Sequence, residues 1–164
     1  MSDILVAFAT KAGSTEQVAQ AIAEALCKAG DTVDLRRARG VREPVSRWGC
    51  IVLGAPIYSG RWHRDAHRFL RRHRGELEGV PVAVFGMGPR SPEEEEAWQR
   101  SRSQLDRALA KRSWLTPVAK TVFGGADPPK RRQATRRDLR DWAAIENWSR
   151  DVSAIAASRP APAA

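Results

Sequence analysis

The sequence predicts a three-layer α/β fold built on a parallel sheet, on three observations. Strand-like and helix-like segments alternate from end to end. The strand-like runs 4–9 and 51–55 are apolar on both faces, as strands covered by helices on both sides must be. The first of them turns through Thr10-Lys11-Ala12-Gly13-Ser14-Thr15 straight into a helical run, the opening of a β–α crossover. With 164 residues, no internal repeat and no break in composition, the chain reads as one domain with a substantial core.

Each element has a local signature. After the first strand, Val18, Ile22, Ala25, Leu26 and Ala29 repeat at helical spacing, and Gly30 ends that helix. Residues 32–35 read as a short second strand, followed by a basic loop from Arg36 to Glu43. Residues 51–55 form the third strand, Ala66, Phe69 and Leu70 mark a second helix, and 80–85 form the fourth strand. A third helix over 93–111 opens with Ser91-Pro92 and four glutamates that suit its N-terminal dipole. Residues 118–123 give the fifth strand. The closing helix, 138–157, carries Trp142, Ile145, Trp148, Val152 and Ile155 on one stripe. Right-handed crossovers between five strands make a doubly wound sheet over 1–157, and the Pro/Ala-rich tail 158–164 is expected to be disordered.

Charge narrows the partners. Lys and Arg number 28 against 19 Asp and Glu, a net +9 gathered in three runs. These are Arg36 with Arg37, Arg39 and Arg42, then Arg61 to Arg74, then Lys130 to Arg137. They read either as solvated faces or as docking surfaces for an anionic membrane or an acidic redox protein. Nucleic acid is not expected, because no interleaved aromatics or helix-turn-helix pattern accompany them. No apolar run approaches the roughly 20 residues that span a bilayer, and Met1-Ser2-Asp3 does not begin an export signal. Cys27 and Cys50 lack metal spacing and are expected to be buried and reduced, consistent with a cytoplasmic protein.

Ligands of such sheets bind beyond the carboxyl ends of the strands. Four loops lie there: 10–15, 54–63, 85–90 and 123–128. The first offers free N–H groups at a helix start together with hydroxyls, which is a phosphate site. The other three are rich in glycine and flanked by aromatics, so that backbone can lie edge-on to a flat ring while an aromatic stacks on it. Competing phosphate chemistries fit poorly. The third strand ends in Ala55-Pro56 without a carboxylate, the Gly-Lys-Thr ending of a Walker loop is missing, and the three-glycine dinucleotide pattern is absent. His63 borders the second loop and is a candidate proton donor, whereas His67 and His73 are expected on a solvated helix surface. Trp98, Trp114, Trp142 and Trp148 are expected to serve packing.

These loops carry a family resemblance. The chain resembles the flavodoxins, and more closely the branch containing menaquinone-dependent protoporphyrinogen IX dehydrogenase. The loop Thr10 to Thr15 follows the pattern Thr/Ser-x-Thr/Ser-Gly-x-Thr, with Ala12 in place of a hydroxyl residue. Phe85-Gly86-Met87-Gly88 looks like the second flavin loop of short flavodoxins. Gly54-Ala55, Gly60 and His63, with Asp141-Trp142 and Trp148 in the closing helix, resemble the dehydrogenase branch. The similarity runs from Ile4 to Ile155.

The resemblance implies a flavodoxin-like three-layer sandwich with a five-stranded parallel sheet of order 2-1-3-4-5. It implies FMN held at its phosphate by Thr10, Lys11, Ala12, Gly13, Ser14 and Thr15. Pro56, Ile57, Tyr58, Ser59 and Gly60 would flank the isoalloxazine on one side, with Gly86, Met87, Gly88 and Gly124 on the other. Tyr58 is the first choice for the stacking ring and Trp62 the second. Pro89-Arg90-Ser91-Pro92 replaces the tyrosine that many flavodoxins place on the opposite face, which implies an open ring face. The implied activity is an FMN-dependent oxidation of a tetrapyrrole-like substrate with quinone as acceptor. The alternative is a protein electron carrier with no substrate of its own. Against the enzyme, the polar run Asp127 to Arg140 stands where the dehydrogenase branch has an apolar, aromatic-rich insertion.

Overall fold

The computed structural model describes residues 1–90, 95–128 and 136–159. The two runs apolar on both faces pair in parallel at the heart of the sheet as β1 (Asp3–Phe8) and β3 (Cys50–Tyr58). Helix α1 (Ser14–Lys28) and strand β2 (Thr32–Arg37) follow β1. Beyond β3 come a two-residue strand β4 (Arg61–Trp62), helix α2 (Arg64–Arg72) and a short helix α3 (Arg74–Leu77). The chain then runs through β5 (Val82–Met87), α4 (Glu95–Ala110), β6 (Ala119–Phe123) and α5 (Trp142–Ser158). The order β2-β1-β3-β5-β6 is parallel throughout and agrees with the expected 2-1-3-4-5 once β4, an antiparallel addition to β3, is set aside.

Strand alternation sorts the core into two layers. Leu5, Ile51 and Leu53 face α2 and α4 through Phe69, Leu70 and Leu105. Ile4, Val6 and Val52 face α1 and α5 through Ile22, Leu26 and Ile145. Both sides of the sheet are thus dry, which is what the continuous apolar runs require.

Several boundaries differ from the sequence expectation for identifiable reasons. β3 runs three residues past Ala55, because Ile57 and Tyr58 pair with Trp62 and Arg61 across a two-residue turn. Ser59 (φ 48°) and Gly60 (φ 76°) are both left-handed, as a hairpin turn that matches strand twist demands. The closing helix starts at Trp142, four residues later than expected. The Asp141 carboxylate accepts from the Ala144 N–H as its cap, and Asp138 bridges Ala126 instead. Trp142 consequently sits ahead of the buried stripe, 46% exposed, under the Arg140 guanidinium.

Two expectations on burial are corrected. Cys27 is exposed on α1; Cys50 alone is buried, and burial pushes its thiol up to about 11. His73 is not a surface residue: it is 3% exposed, its Nε2 lying 3.1 Å from the Val41 carbonyl where the chain bends after α2. The opening of the third helix at 91–94, most of the basic run from Lys130 and the tail residues 160–164 lie outside the described residues. Among the described residues, no helix is long and apolar enough to cross a membrane.

Candidate functional site

The carboxyl ends of β1, β3, β5 and β6 bring the predicted loops to one edge. Gly13 (φ 94°) caps α1 in a left-handed conformation, and no side chain caps that helix. The first intrahelical bond runs from Gln17 N–H to the Gly13 carbonyl, leaving the N–H groups of Ser14, Thr15 and Glu16 without helical partners. Thr10 Oγ1 accepts from the Gly13 N–H at 2.9 Å and draws the loop into its turn. Thr15 is 1% exposed, and its Oγ1 is the one buried side-chain polar atom among the described residues with no hydrogen-bond partner. Such a hydroxyl costs about 1–3 kcal/mol unless something external meets it. Free amides, a helix dipole and an orphaned hydroxyl fit an anionic phosphate.

Tyr58 joins three of the loops. Lys11 Nζ lies 5.0 Å from its ring centroid and the Arg90 guanidinium carbon lies 5.6 Å from it. Trp62 does not share this position. It is 2% exposed, its indole N–H donates to the Ala55 carbonyl at 3.1 Å, and its edge meets His67. Its ring is committed to the core, which leaves Tyr58 as the stacking candidate. Pro56 and Met87 are buried, Ile57 is half-buried, and Ser59 and Gly60 are exposed at the hairpin tip.

The glycines of the outer loops serve packing between loops. A Cβ on Gly88 would lie 2.7 Å from Val122, one on Gly86 3.0 Å from Ile57, and one on Gly124 2.2 Å from the Leu139 carbonyl. Their absence lets the Gly88 N–H reach the Phe123 carbonyl at 2.8 Å and the Gly125 N–H reach Pro89 at 2.7 Å. Glycine content in the sequence pointed to these loops, but the atoms that need the room belong to the chain itself.

Sequence reasoning missed two electrostatic devices. Asp127, 4% exposed, receives Arg137 through Nε at 2.7 Å and Nη2 at 3.0 Å, with Arg90 Nη1 at 3.6 Å. The Arg137 hydrogen bond above all holds its carboxyl down at about 2. Arg137, part of a basic run that the sequence leaves open between a solvated face and a docking surface, fastens the loop after β6. The available signal was Asp127 itself, an acid isolated beside a basic stretch. The second device is Arg112, whose Nη1 lies 2.9 Å from His67 Nδ1 and whose Nη2 donates to the His67 carbonyl. Burial first, then the Arg112 charge, lowers His67 to about 4.

His63 is a structural cap. Its Nδ1 accepts from the Asp65 N–H at 3.0 Å at the start of α2, and burial lowers its pKa. It also borders a cleft of about 1080 Å³ beside the hairpin, between α2 and α4, lined by Tyr58, Arg61, His67, Gln104, Arg107 and Lys111. Among the described residues, no carboxylate lines that cleft. Among the described residues, no group of His, Cys, Asp or Glu is arranged to hold a metal.

Residues 5–139 match a family model described as a flavodoxin domain. The chain belongs to the flavodoxin family. Among curated proteins it is similar to protoporphyrinogen IX dehydrogenase [quinone] of Escherichia coli strain K12, 21% identical over 91% of this chain and 93% of that protein. Among solved structures, a flavodoxin from the domain Archaea superimposes with a TM-score of 0.64 at 13% identity, over 94% of this chain and 99% of that one. Oxidised flavodoxin 1 of Bacillus cereus gives 0.61 at 17% identity, over 98% and 100%. For this flavodoxin, family and fold together indicate FMN as the cofactor. The anion-ready loop at Thr10 to Thr15 is the structural feature that fits its phosphate.

His67 makes stability depend on pH. Its folded pKa lies near 4 and its ordinary value is 6.5. Between these values the unfolded chain holds more protons, so the contribution is complete above 6.5 and is lost as pH falls toward 4. Thermal unfolding from pH 7 to 4.5 should show the wild type losing roughly 1–2 kcal/mol more than His67→Gln, a figure already reduced for partial exposure. Parallel stability curves for the two proteins would refute this assignment.

Proposed function

We propose that the protein is an FMN-dependent oxidoreductase that dehydrogenates a tetrapyrrole-like anionic substrate and delivers the electrons to a quinone. The observation that carries this reading is the wide cationic cleft beside Tyr58, free of carboxylates and continuous with the flavin-side hairpin. A reduced tetrapyrrole bearing carboxylates fits such a space by charge and size. The relative's name and its coverage of nearly the whole chain support the same reading.

FMN, when bound, supplies the two-electron chemistry. The protein's part is to bind and position. The amides of Ser14, Thr15 and Glu16, free of helical partners, and the unpartnered Thr15 hydroxyl would hold its phosphate. Tyr58 would cover its ring, and the left-handed Ser59–Gly60 turn would present backbone to the ring edge. Arg61, Arg107 and Lys111 attract substrate carboxylates, while His67, neutral at pH 7, offers its ring without adding charge. In this reading the protein works in the cytoplasm, at the inner face of the membrane where quinone is available.

The carrier reading draws on the polar sequence 127–140, which stands where the dehydrogenase branch has an apolar, aromatic-rich insertion. One experiment separates the two. The purified protein should be yellow with flavin absorbance. After anaerobic reduction, a menaquinone analogue should reoxidise it faster than a ferredoxin-type protein does. Faster reoxidation by the ferredoxin would establish the carrier instead, and a colourless protein that takes up no FMN would end both readings.

A further inference from the structure

A second cleft, of about 450 Å³, lies on the other side of α2, against the 3-10 turn Ala38–Gly40 that follows β2. Arg39, Arg42, Arg64, Arg68 and Arg72 line it, and Asp65 is its sole acid among the described residues. Among the described residues, no carboxylate pairs with Arg39, Arg42 or Arg64; Arg68 approaches Asp65 at 3.7 Å. Five guanidinium groups against one carboxylate leave an uncompensated charge concentrated in a concave space. An anion entering that space meets an attractive potential from several sides at once.

The walls of the cleft are fixed. Arg72 Nη1 donates to the carbonyls of Arg39 and Val41 at 3.4 and 3.3 Å, and His73 Nε2 lies 3.1 Å from the same Val41 oxygen. Ala38 and Val41 are fully buried in the core, so the turn cannot swing away from the helix. The backbone that carries Arg39 and Arg42 is thus held against α2, and the exposed guanidinium groups extend from it into the recess, open to a ligand. Concavity also decides between ligand types. An anionic bilayer or a protein surface meets protruding charges, whereas a recess of a few hundred cubic ångströms suits a small polyanion.

We propose that this cleft binds a small anion bearing several phosphates, gripped by Arg39, Arg42, Arg64 and Arg68. Arg64 also lines the larger cleft that holds Tyr58, so the two recesses meet at one side chain. A ligand anchored by phosphates in the first can extend a flat group toward the flavin-side hairpin in the second. A 2′-phosphorylated nicotinamide dinucleotide is one source of that chemistry; inorganic polyphosphate is the other. Guanidinium groups do the holding, so no glycine-rich dinucleotide loop is required. The extension toward the hairpin rests on the proposed flavin function, but the anion site does not.

Calorimetry on the protein as purified, with 2′,5′-ADP as the probe, tests the site. Saturable binding should weaken roughly 100-fold in Arg39→Glu/Arg42→Glu, since each reversal removes a charge-assisted contact and adds a repulsion. The double variant Arg100→Glu/Arg102→Glu on α4 makes the same change in net charge away from the cleft and should bind as the wild type does. Binding of NADPH well ahead of NADH assigns the dinucleotide as source, and pyrophosphate binding as tightly as 2′,5′-ADP assigns inorganic polyphosphate. Equal losses in the two double variants, or no saturable binding by the wild type at millimolar probe, overturn the proposal. A colourless protein that still binds 2′,5′-ADP would remove the flavin reading and leave this one standing.

Discussion

Gly54→Ala should destabilise the protein by roughly 3 kcal/mol, the upper part of the range for overpacking a dense core. Gly54 lies in the central strand β3, opposite Phe8 on one side and Phe85 on the other. A Cβ at this position would stand 1.9 Å from Phe85 Cζ, so the aromatic ring occupies the volume the methyl needs. Phe85 cannot retreat easily. It is fully buried, and its ring packs at 5.7 Å from Phe123 and 6.0 Å from Trp148. For a chain of this size the loss corresponds to a fall in Tm of roughly 6–12 °C. Phe85→Leu would lose aromatic packing by itself, yet combined with Gly54→Ala it should recover part of the deficit, because the obstructing ring is gone. A double-mutant cycle with no coupling between the two positions would contradict this account of the strand centre.

That pairing also shows why the fold was legible and its details were not. Sheet order and layer assignment follow from hydrophobic periodicity, which is a property of each segment alone. The continuous apolar runs at β1 and β3 therefore identified the two central strands, and the helical spacing of Val18, Ile22 and Leu26 identified the helix beneath them. Element ends depend on partners distant in sequence. β3 extends to Tyr58 because Arg61 and Trp62 fold back on it, and nothing in the run Pro56-Ile57-Tyr58 announces that pairing by itself. His73 became a core residue for the same reason: the carbonyl that receives it belongs to Val41, 32 positions earlier.

The candidate site divides along the same line. The anion-ready loop 10–15 was visible because its chemistry is local, with hydroxyls, a glycine and a helix start within six residues. Convergence of Lys11 and Arg90 on Tyr58 was not, since it depends on three strand ends meeting in space. Charge was the least legible. One basic run supplied a loop fastener in Arg137, and another supplied a cleft lining in Arg64 and Arg68. Composition counted these side chains alike, and only their neighbours distinguish them.

Thr15→Val should move two measurements in opposite directions. The side chains are similar in shape, so the substitution exchanges only the buried hydroxyl for a methyl group. In the cofactor-free protein that hydroxyl has no partner, and removing it should raise stability by roughly 1 kcal/mol by relieving an unmet polar group. In the presence of FMN the same hydroxyl is expected to donate to a charged phosphate oxygen, a bond of about 1.5–3 kcal/mol. Affinity for FMN should therefore fall roughly 10- to 150-fold. A merely structural threonine would lower cofactor-free stability and leave affinity nearly unchanged, and a threonine irrelevant to both would alter neither. Unfolding followed without FMN, together with flavin fluorescence quenching on titration, reads the two signs independently. The opposed signs follow from one feature of the chain: a hydroxyl enclosed at the start of α1, beside amides that the helix itself cannot satisfy.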